Sequence, residues 1–165
     1  LYITALIPDA DGRIVGIPTL VGERLRALDA DASAAYRKLA DRRANEALDR
    51  ASNDIALLSQ VANAYPATGA AALAYQRLGD ALLVSGAGSH AYAVLQRLTA
   101  PADSALAAML AAKRAYAVEL CGDRNAALAE LDKLDATHKG TSLTVRGQMM
   151  PIAAYVRSDA QQLPR

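Results

Sequence analysis

Two histidines and one cysteine are the residues of this 165-residue chain best suited to chemistry. His90 and His138 lie far apart, and neither has a His, Cys or Glu at the spacing that places metal ligands on one helix face. Cys121 follows an apolar helical segment, and the negative end of a helix dipole does not stabilise a thiolate. We therefore expect solvated histidines, a small buried cysteine and no metal site.

Two short patterns resemble parts of ligand-binding motifs and lack the residues that complete them. The sequence Asp9-x-Asp11-Gly12 matches half of a calcium loop, but Pro18 stands where the closing Glu belongs. The sequence Gly86-Ala87-Gly88 lacks the Lys and the hydroxyl residue of a phosphate loop. No serine lies in a Gly-x-Ser-x-Gly elbow. These patterns predict turns, no cofactor and a chain that is not an enzyme.

Composition favours a mainly α protein. The hydrophobic fraction is 53%, there is no Phe or Trp, and the formal net charge is +1. Alanine is abundant and has the highest helix propensity. No run of basic residues indicates nucleic-acid binding, and no apolar run reaches the roughly 18 residues of a transmembrane span. Because residue 1 is Leu, we expect a processed or excised chain whose secretion signal, if it has one, lies outside it.

Two stretches repeat the same pattern at an offset of 36 residues. In each, an apolar helical segment ends near a Gly, and a second apolar segment begins after a short turn. The first contains Leu82, Gly86, Ala91, Leu95 and Leu98, and the second contains Val118, Gly122, Ala127, Leu131 and Leu134. A repeat of this length predicts stacked helical hairpins.

Signals along the chain predict three regions. Residues 1–18 form an extended arm or hairpin, because the runs 2–7 and 13–17 flank an Asp-Gly turn. Residues 19–136 form the helical-repeat domain, and residues 137–165 form a loop, an extended segment at 143–145 and a short terminal helix opened by Pro151.

Capping residues predict where the helices of the central region begin. After a first helix with the apolar stripe Val21, Leu25 and Leu28, we expect separate segments at 31–39 and 41–51. The longest helix should run from about 103 to 121. The expected start residues are Asp31 or Ser33, Asn53 or Asp54, Thr68, Ser89, Pro101 with Asp103, and Asp123 or Asn125.

The first repeat resembles a tetratricopeptide repeat. The match consists of Tyr75-x-x-Leu78-Gly79 followed by Leu82, Gly86, Ala91 and Leu95. In that family the Leu-Gly pair lets two helices approach closely. The second copy departs from the pattern, since Ala111 replaces the large residue and Arg114-Ala115 replaces Leu-Gly.

A second likeness covers roughly residues 13–136. The sequence Tyr65-Pro66-x-Thr68, with Arg24-Leu25-x-x-Leu28 before it, is similar to repeats of bacterial envelope proteins and to helical domains beside quinoprotein-like β-propellers. The resemblance implies a noncatalytic helical module that is extracytoplasmic, in the periplasm or cell envelope.

The tetratricopeptide register also implies a partner-binding face. The first helix of each unit lines a concave surface in that family, which would place six residues inward: Gln76, Asp80, Leu83, Ala112, Tyr116 and Glu119. This polar, acidic and aromatic mixture suits a peptide or a neighbouring domain. The alternative is that Leu83 and Tyr116 are core residues, as apolar-stripe aromatics usually are.

Two functions remain open from the sequence. The first is a protein–protein interaction or scaffold module built of tetratricopeptide-like repeats. The second is a structural subunit or linking domain of a larger assembly that contacts its neighbours through its extended terminal arms.

Overall fold

The computed structural model describes residues 6–8, 14–100, 105–145, 148–152 and 154–156, and these are mainly helical. The chain divides into two compact units, Leu1–Arg77 and Leu78–Arg165. The division falls inside a helix, whereas the sequence changes character near residues 18 and 136. The start predicted at Pro101 with Asp103, the turn at Asp9-x-Asp11-Gly12 and the tail beyond Val156 lie outside the described residues.

Unit 1 consists of a two-stranded antiparallel sheet followed by helices. Strand β1 pairs with β2 with Ile7 opposite Val15, so the described parts of the two predicted extended runs do form a hairpin. The elements are β1 (Leu6–Pro8), β2 (Ile14–Gly16), α1 (Ile17–Arg26), α2 (Ala30–Ala51), α3 (Ile55–Ala64) and the first part of α4 (Gly69–Val84).

Helix α1 begins around Pro18, as predicted, but it buries a different face from the expected one. Val21 and Leu28 are both exposed, and Gly22 is the residue of α1 that is buried. A Cβ at Gly22 would lie 3.5 Å from the Pro66 Cβ. The stripe prediction was therefore wrong for Val21 and Leu28, whereas Leu25 is half-buried. The buried residue Gly22 carries no hydrophobic signal in the sequence.

Helix α2 is one continuous helix of 22 residues, not two segments, and it is the longest helix described. Its N-cap is Asp29, whose side chain accepts a hydrogen bond from the Ala32 N–H at 2.8 Å, so the start predicted at Asp31 or Ser33 was wrong. No Gly or Pro interrupts residues 30–51, and Ala, Arg, Lys and Glu all favour helix. Leu39 on this helix is 79% exposed.

Three of the predicted helix starts are confirmed by side-chain caps. Asp54 accepts from the Leu57 N–H at 2.9 Å, and Thr68 Oγ1 accepts from the Ala71 N–H at 3.1 Å. Asp123 accepts from the Ala126 N–H at 3.0 Å. Each cap satisfies one of the backbone donors left free at a helix start.

Unit 2 contains the rest of α4 and three further helices, followed by a second antiparallel hairpin. Helix α6 packs against both α5 and α7. The elements are α5 (Gly88–Leu95), α6 (Ala105–Leu120), α7 (Arg124–Thr137), β3 (Ser142–Val145) and β4 (Gln148–Pro151). The start predicted at Ser89 was wrong, because α5 begins at Gly88 without a side-chain cap.

The 36-residue repeat has a counterpart in the backbone. Helices α4 and α6 are each followed by a glycine with positive φ, Gly86 at +77° and Gly122 at +81°. Glycine adopts this conformation without the steric cost that other residues pay. The alanines that follow at the same offset, Ala91 and Ala127, are both buried. The repeated sequence pattern therefore corresponds to a repeated helix–turn–helix geometry.

Two glycines of unit 2 bring helices into close contact. A Cβ at Gly79 would lie 2.6 Å from Leu95 Cδ2, which agrees with the close approach expected at the Leu-Gly pair. A Cβ at Gly88 would lie 2.5 Å from the Ala117 carbonyl oxygen and 2.8 Å from the Leu120 Cβ. The contact at Gly88 is the stricter one, because a backbone atom cannot move aside as a side chain can.

The segment after α7 forms a hairpin. The extended segment predicted at 143–145 is confirmed as part of strand β3, whereas its pairing with a second strand was not predicted. Strands β3 and β4 pair with Leu143 opposite Met150 and Ser142 opposite Pro151. Pro151 thus ends a strand, whereas we expected it in the first turn of a helix. Both strands of a two-stranded sheet are edges, where the missing N–H of proline is tolerated. Residues 154–156 are helical, as expected for the terminal segment.

The close contact at Gly88 gives a stability prediction with a matched control. Gly88→Ala should lower the free energy of unfolding by about 1–3 kcal/mol, because the new methyl group meets the α6 backbone. Gly69→Ala, also at the first residue of a helix, has nothing within 4 Å of the new Cβ and should be neutral or slightly stabilising. Urea unfolding followed by circular dichroism measures both, and equal effects would contradict the Gly88 contact.

Tyr36 gives a pH prediction for unit 1. Its hydroxyl donates to the Pro66 carbonyl oxygen at 2.8 Å. Burial raises the pKa of Tyr36 above 10.0, and the nearby Asp41 and Tyr65 raise it further. Stability from the neutral phenol should be complete below pH 10 and lost as pH rises through the raised pKa of the folded state.

The variant Tyr36→Phe isolates this contribution. It should lower the free energy of unfolding by about 1 kcal/mol at neutral pH, because the hydrogen bond is lost. The difference from wild type should shrink above pH 10, measured by urea unfolding at several pH values. A difference that stays constant across that range would show that Tyr36 ionisation is not coupled to folding.

Candidate ligand cavity in unit 2

Unit 2 contains an apolar cavity of about 260 Å³. Helix α4 contributes Leu83 to its wall. Helix α6 contributes Met109, Ala112, Lys113 and Tyr116, and the C-terminal segment contributes Ile152, Tyr155 and Val156. An apolar cavity of ~150 Å³ already holds a benzene molecule, so this volume is sufficient for a large apolar side chain.

The spacing along α6 explains why four of its residues share one wall. Met109, Ala112, Lys113 and Tyr116 stand at helical positions i, i+3, i+4 and i+7, which lie on one face. Ala112 is small and buried between the two larger residues Met109 and Tyr116 on that face. The volume that a longer side chain would fill at position 112 is therefore available to the cavity.

The C-terminal segment closes one side of the cavity. Ile152 is 2% exposed and Val156 is also buried, and both belong to the same core cluster as Ala108, Leu131 and Leu134. The Ile152 N–H donates to the Thr141 carbonyl oxygen at 3.2 Å, which fixes the start of the segment beside the loop after α7. Ile152 and Val156 are thus packed on α6 and α7.

Arg114 fixes α6 to the end of α5. Its guanidinium donates from Nη2 to the carbonyl oxygens of Leu95 and Leu98, both at 2.8 Å, and from Nε to Leu95 at 3.2 Å. These carbonyls lie at or beyond the last residue of α5, where intrahelical partners are lacking. Arg114, which departs from the tetratricopeptide pattern, therefore stabilises a helix end in the second copy.

An ion pair connects α4 and α6 beside the cavity. Lys113 Nζ lies 2.5 Å from Asp80 Oδ1. The Lys113 side chain is 21% exposed and the Asp80 side chain is 47% exposed. The ammonium group of Lys113 thus meets a carboxylate of the neighbouring helix α4. The acidic member of the pair is the one more open to solvent.

The structure brings together part of the predicted partner-binding set. Leu83, Ala112 and Tyr116 line the cavity, and Asp80 pairs with the lining residue Lys113. Glu119 is half-buried on α6, three residues after Tyr116, and is not among the lining residues described. Gln76 is half-buried on the part of α4 that belongs to unit 1.

The sequence reasoning missed the contribution of the C-terminal segment to this wall. Its signal was the apolar spacing of Ile152, Tyr155 and Val156, at i, i+3 and i+4, which indicates one helical face.

Ala112 is buried in the core cluster and is not on an open surface, and Tyr116 packs against the same cluster. Tyr116 therefore fits the alternative prediction of a core residue in part, because it packs against the core cluster and also lines the cavity.

The residues considered for chemistry are dispersed. Cys121 is exposed, so the prediction of a buried cysteine was wrong; it lies just beyond α6, and its Sγ donates to the Ala117 carbonyl oxygen at 3.2 Å. His90 is exposed and His138 is half-buried. Among the described residues no group of three or more His, Cys, Asp or Glu side chains is placed to hold a metal ion.

Within the described part of the chain, every helix is too short or too polar to cross a membrane. Comparisons with protein-family models, with curated proteins and with solved structures found no match. The contacts of the described residues are therefore the basis for any functional conclusion.

The packing of the C-terminal segment can be tested directly. Ile152→Ala should lower the free energy of unfolding by about 2–5 kcal/mol, because it leaves a void in the core cluster. Met149 lies on strand β4, three residues before Ile152, and is 79% exposed, so Met149→Ala should change stability by less than about 0.5 kcal/mol. Thermal or urea unfolding distinguishes the two, and a neutral Ile152→Ala would show that the segment is not packed on α6 and α7.

Proposed function

We propose that this chain is a noncatalytic protein–protein interaction module, built of tetratricopeptide-like helical hairpins, that holds a large apolar side chain of a partner segment in the cavity of unit 2. The observation that carries the proposal is the cavity of about 260 Å³, whose walls include three of the residues expected to face a partner. Concave, mostly apolar sites with a few polar groups are the usual form of binding sites.

The repeat geometry supports this proposal. Positive-φ glycines recur at an offset of 36 residues, and buried alanines follow them at the same offset. Helices stacked in this way commonly present a binding face. The resemblance to repeats of bacterial envelope proteins adds an extracytoplasmic location to the proposal.

The cavity also explains how binding energy would arise. Burying a large apolar side chain contributes about 1.5–3 kcal/mol. Arg114 and the close contact at Gly88 hold α6 in place, so the wall formed by α6 is preorganised for a ligand. The partner segment would supply the apolar anchor, and its backbone would cross the face beside the Lys113–Asp80 pair.

Two adjacent residues of α4 provide a matched test. Leu83 lines the cavity, whereas Val84 is 91% exposed. Peptides selected from a random display library on the full chain should bind Leu83→Ser about tenfold more weakly than wild type, since an apolar contact is lost. Val84→Ser should bind them as wild type does. Fluorescence polarisation gives the affinities.

Melting curves of both variants check folding, and Leu83→Ala serves as a milder variant of the same contact. Equal affinity of the selected peptides for the two Leu83 variants and for wild type would contradict the proposal. That result would favour the second function, a structural subunit that contacts its neighbours through its terminal arms. The exposed Ile14 on strand β2 would then be among the residues to test.

A further inference from the structure

The more exposed partner of the ion pair beside the cavity is acidic. In the pair between Lys113 and Asp80, the carboxylate side is 47% exposed and the ammonium side is 21% exposed. A carboxylate can accept hydrogen bonds at several lone-pair sites, so one contact with Lys113 leaves Asp80 able to accept others. Lys113 lines the cavity, and Asp80 lies beside it as the partner that exposes the larger fraction of its side chain to solvent.

A second carboxylate lies farther along the α6 face. Ala112, Tyr116 and Glu119 are separated by four and then three residues, which places them on one side of the helix. Glu119 is half-buried, and its side chain makes no ion pair with another described residue. The ionisable groups on α6, on the unit 2 part of α4 and on the described C-terminal segment are Asp80, Lys113, Arg114, Tyr116, Glu119 and Tyr155. Two are acids and two are bases at neutral pH, and the guanidinium of Arg114 donates to the carbonyl oxygens at the end of α5.

We propose that the segment bound in this cavity carries an Arg or Lys next to its large apolar side chain, and that Asp80 selects this basic residue. The proposal rests on the function proposed above, because it specifies the chemistry of the same ligand. The apolar walls provide affinity for the anchor, and the exposed carboxylate provides charge complementarity beside it. A guanidinium suits Asp80 best, since it can donate two parallel hydrogen bonds to a carboxylate.

The structure also disfavours an acidic segment. An acidic side chain beside the anchor would face Asp80 at the exposed side of the pair, and like charges at close range are unfavourable. Lys113 would have to leave Asp80 to bind it, and would leave a half-exposed carboxylate without its partner. Selection against acidic segments therefore follows from the same pair.

The test uses peptides selected on the full chain and measures their binding by fluorescence polarisation. Selected peptides should be enriched in Arg or Lys within two residues of the apolar anchor. Replacing that basic residue with Gln should weaken binding to wild type about threefold, the size expected for a partly exposed ion pair. The same replacement should have no effect on binding to Asp80→Asn, because the coupled carboxylate is absent.

Glu119→Gln is the matched control, since it removes a carboxylate from α6 and leaves the ion pair between Lys113 and Asp80 intact. Glu119→Gln should still bind the selected peptides more tightly than their Gln-substituted versions, whereas Asp80→Asn should bind both equally. The preference should also decrease between 0.05 and about 0.5 M salt, because exposed ion pairs are screened.

The possible failures are distinguishable. Peptides that bind in a Leu83-dependent way but carry no basic residue, or bind Asp80→Asn with the same preference, would overturn the inference and leave the proposed function intact. Peptides whose binding is independent of Leu83 would overturn both. Enrichment in acidic residues would show that Lys113, and not Asp80, faces the ligand.

Discussion

The carbonyl oxygen of Ala117 lies so close to the first residue of α5 that a side chain at position 88 would collide with the α6 backbone. This contact fixes the separation of α5 and α6. Arg114 reinforces it from another side of α6, through hydrogen bonds to the carbonyl oxygens of Leu95 and Leu98. Because the position of α6 is fixed at these points, the face that carries Met109 and Tyr116 is presented in a defined orientation.

Alanine-rich packing has a second consequence for unit 2. Buried alanines at 108, 112, 115 and 117 let the neighbours of α6 approach closely, but they fill little volume themselves. Where the larger side chains of Leu83, Tyr155 and Val156 surround Ala112, the space is not filled. The cavity and the tight helix contacts therefore have the same origin, which is the small side chains along α6.

Local signals in the sequence identified the features that depend on local chemistry. The caps Asp54, Thr68 and Asp123 and the turn glycines Gly86 and Gly122 are all confirmed. Features that depend on distant contacts were missed. Cys121 is exposed, and Gly22 of α1 is buried near Pro66, which no periodicity of apolar residues reveals. The packing of Ile152 on α6 likewise joins residues about 40 positions apart, so spacing along one helix could not predict it.

Methyl-resolved nuclear magnetic resonance tests the central claim, that the unit 2 cavity receives an apolar side chain of a partner segment. On titration of a selected peptide into the methyl-labelled full chain, the methyl signals of Leu83, Met109, Ile152 and Val156 should shift together. Those of Ala44 and Leu48, buried in unit 1, should remain in place. Shifts confined to residues outside the cavity, with the four lining residues unchanged, would contradict the account.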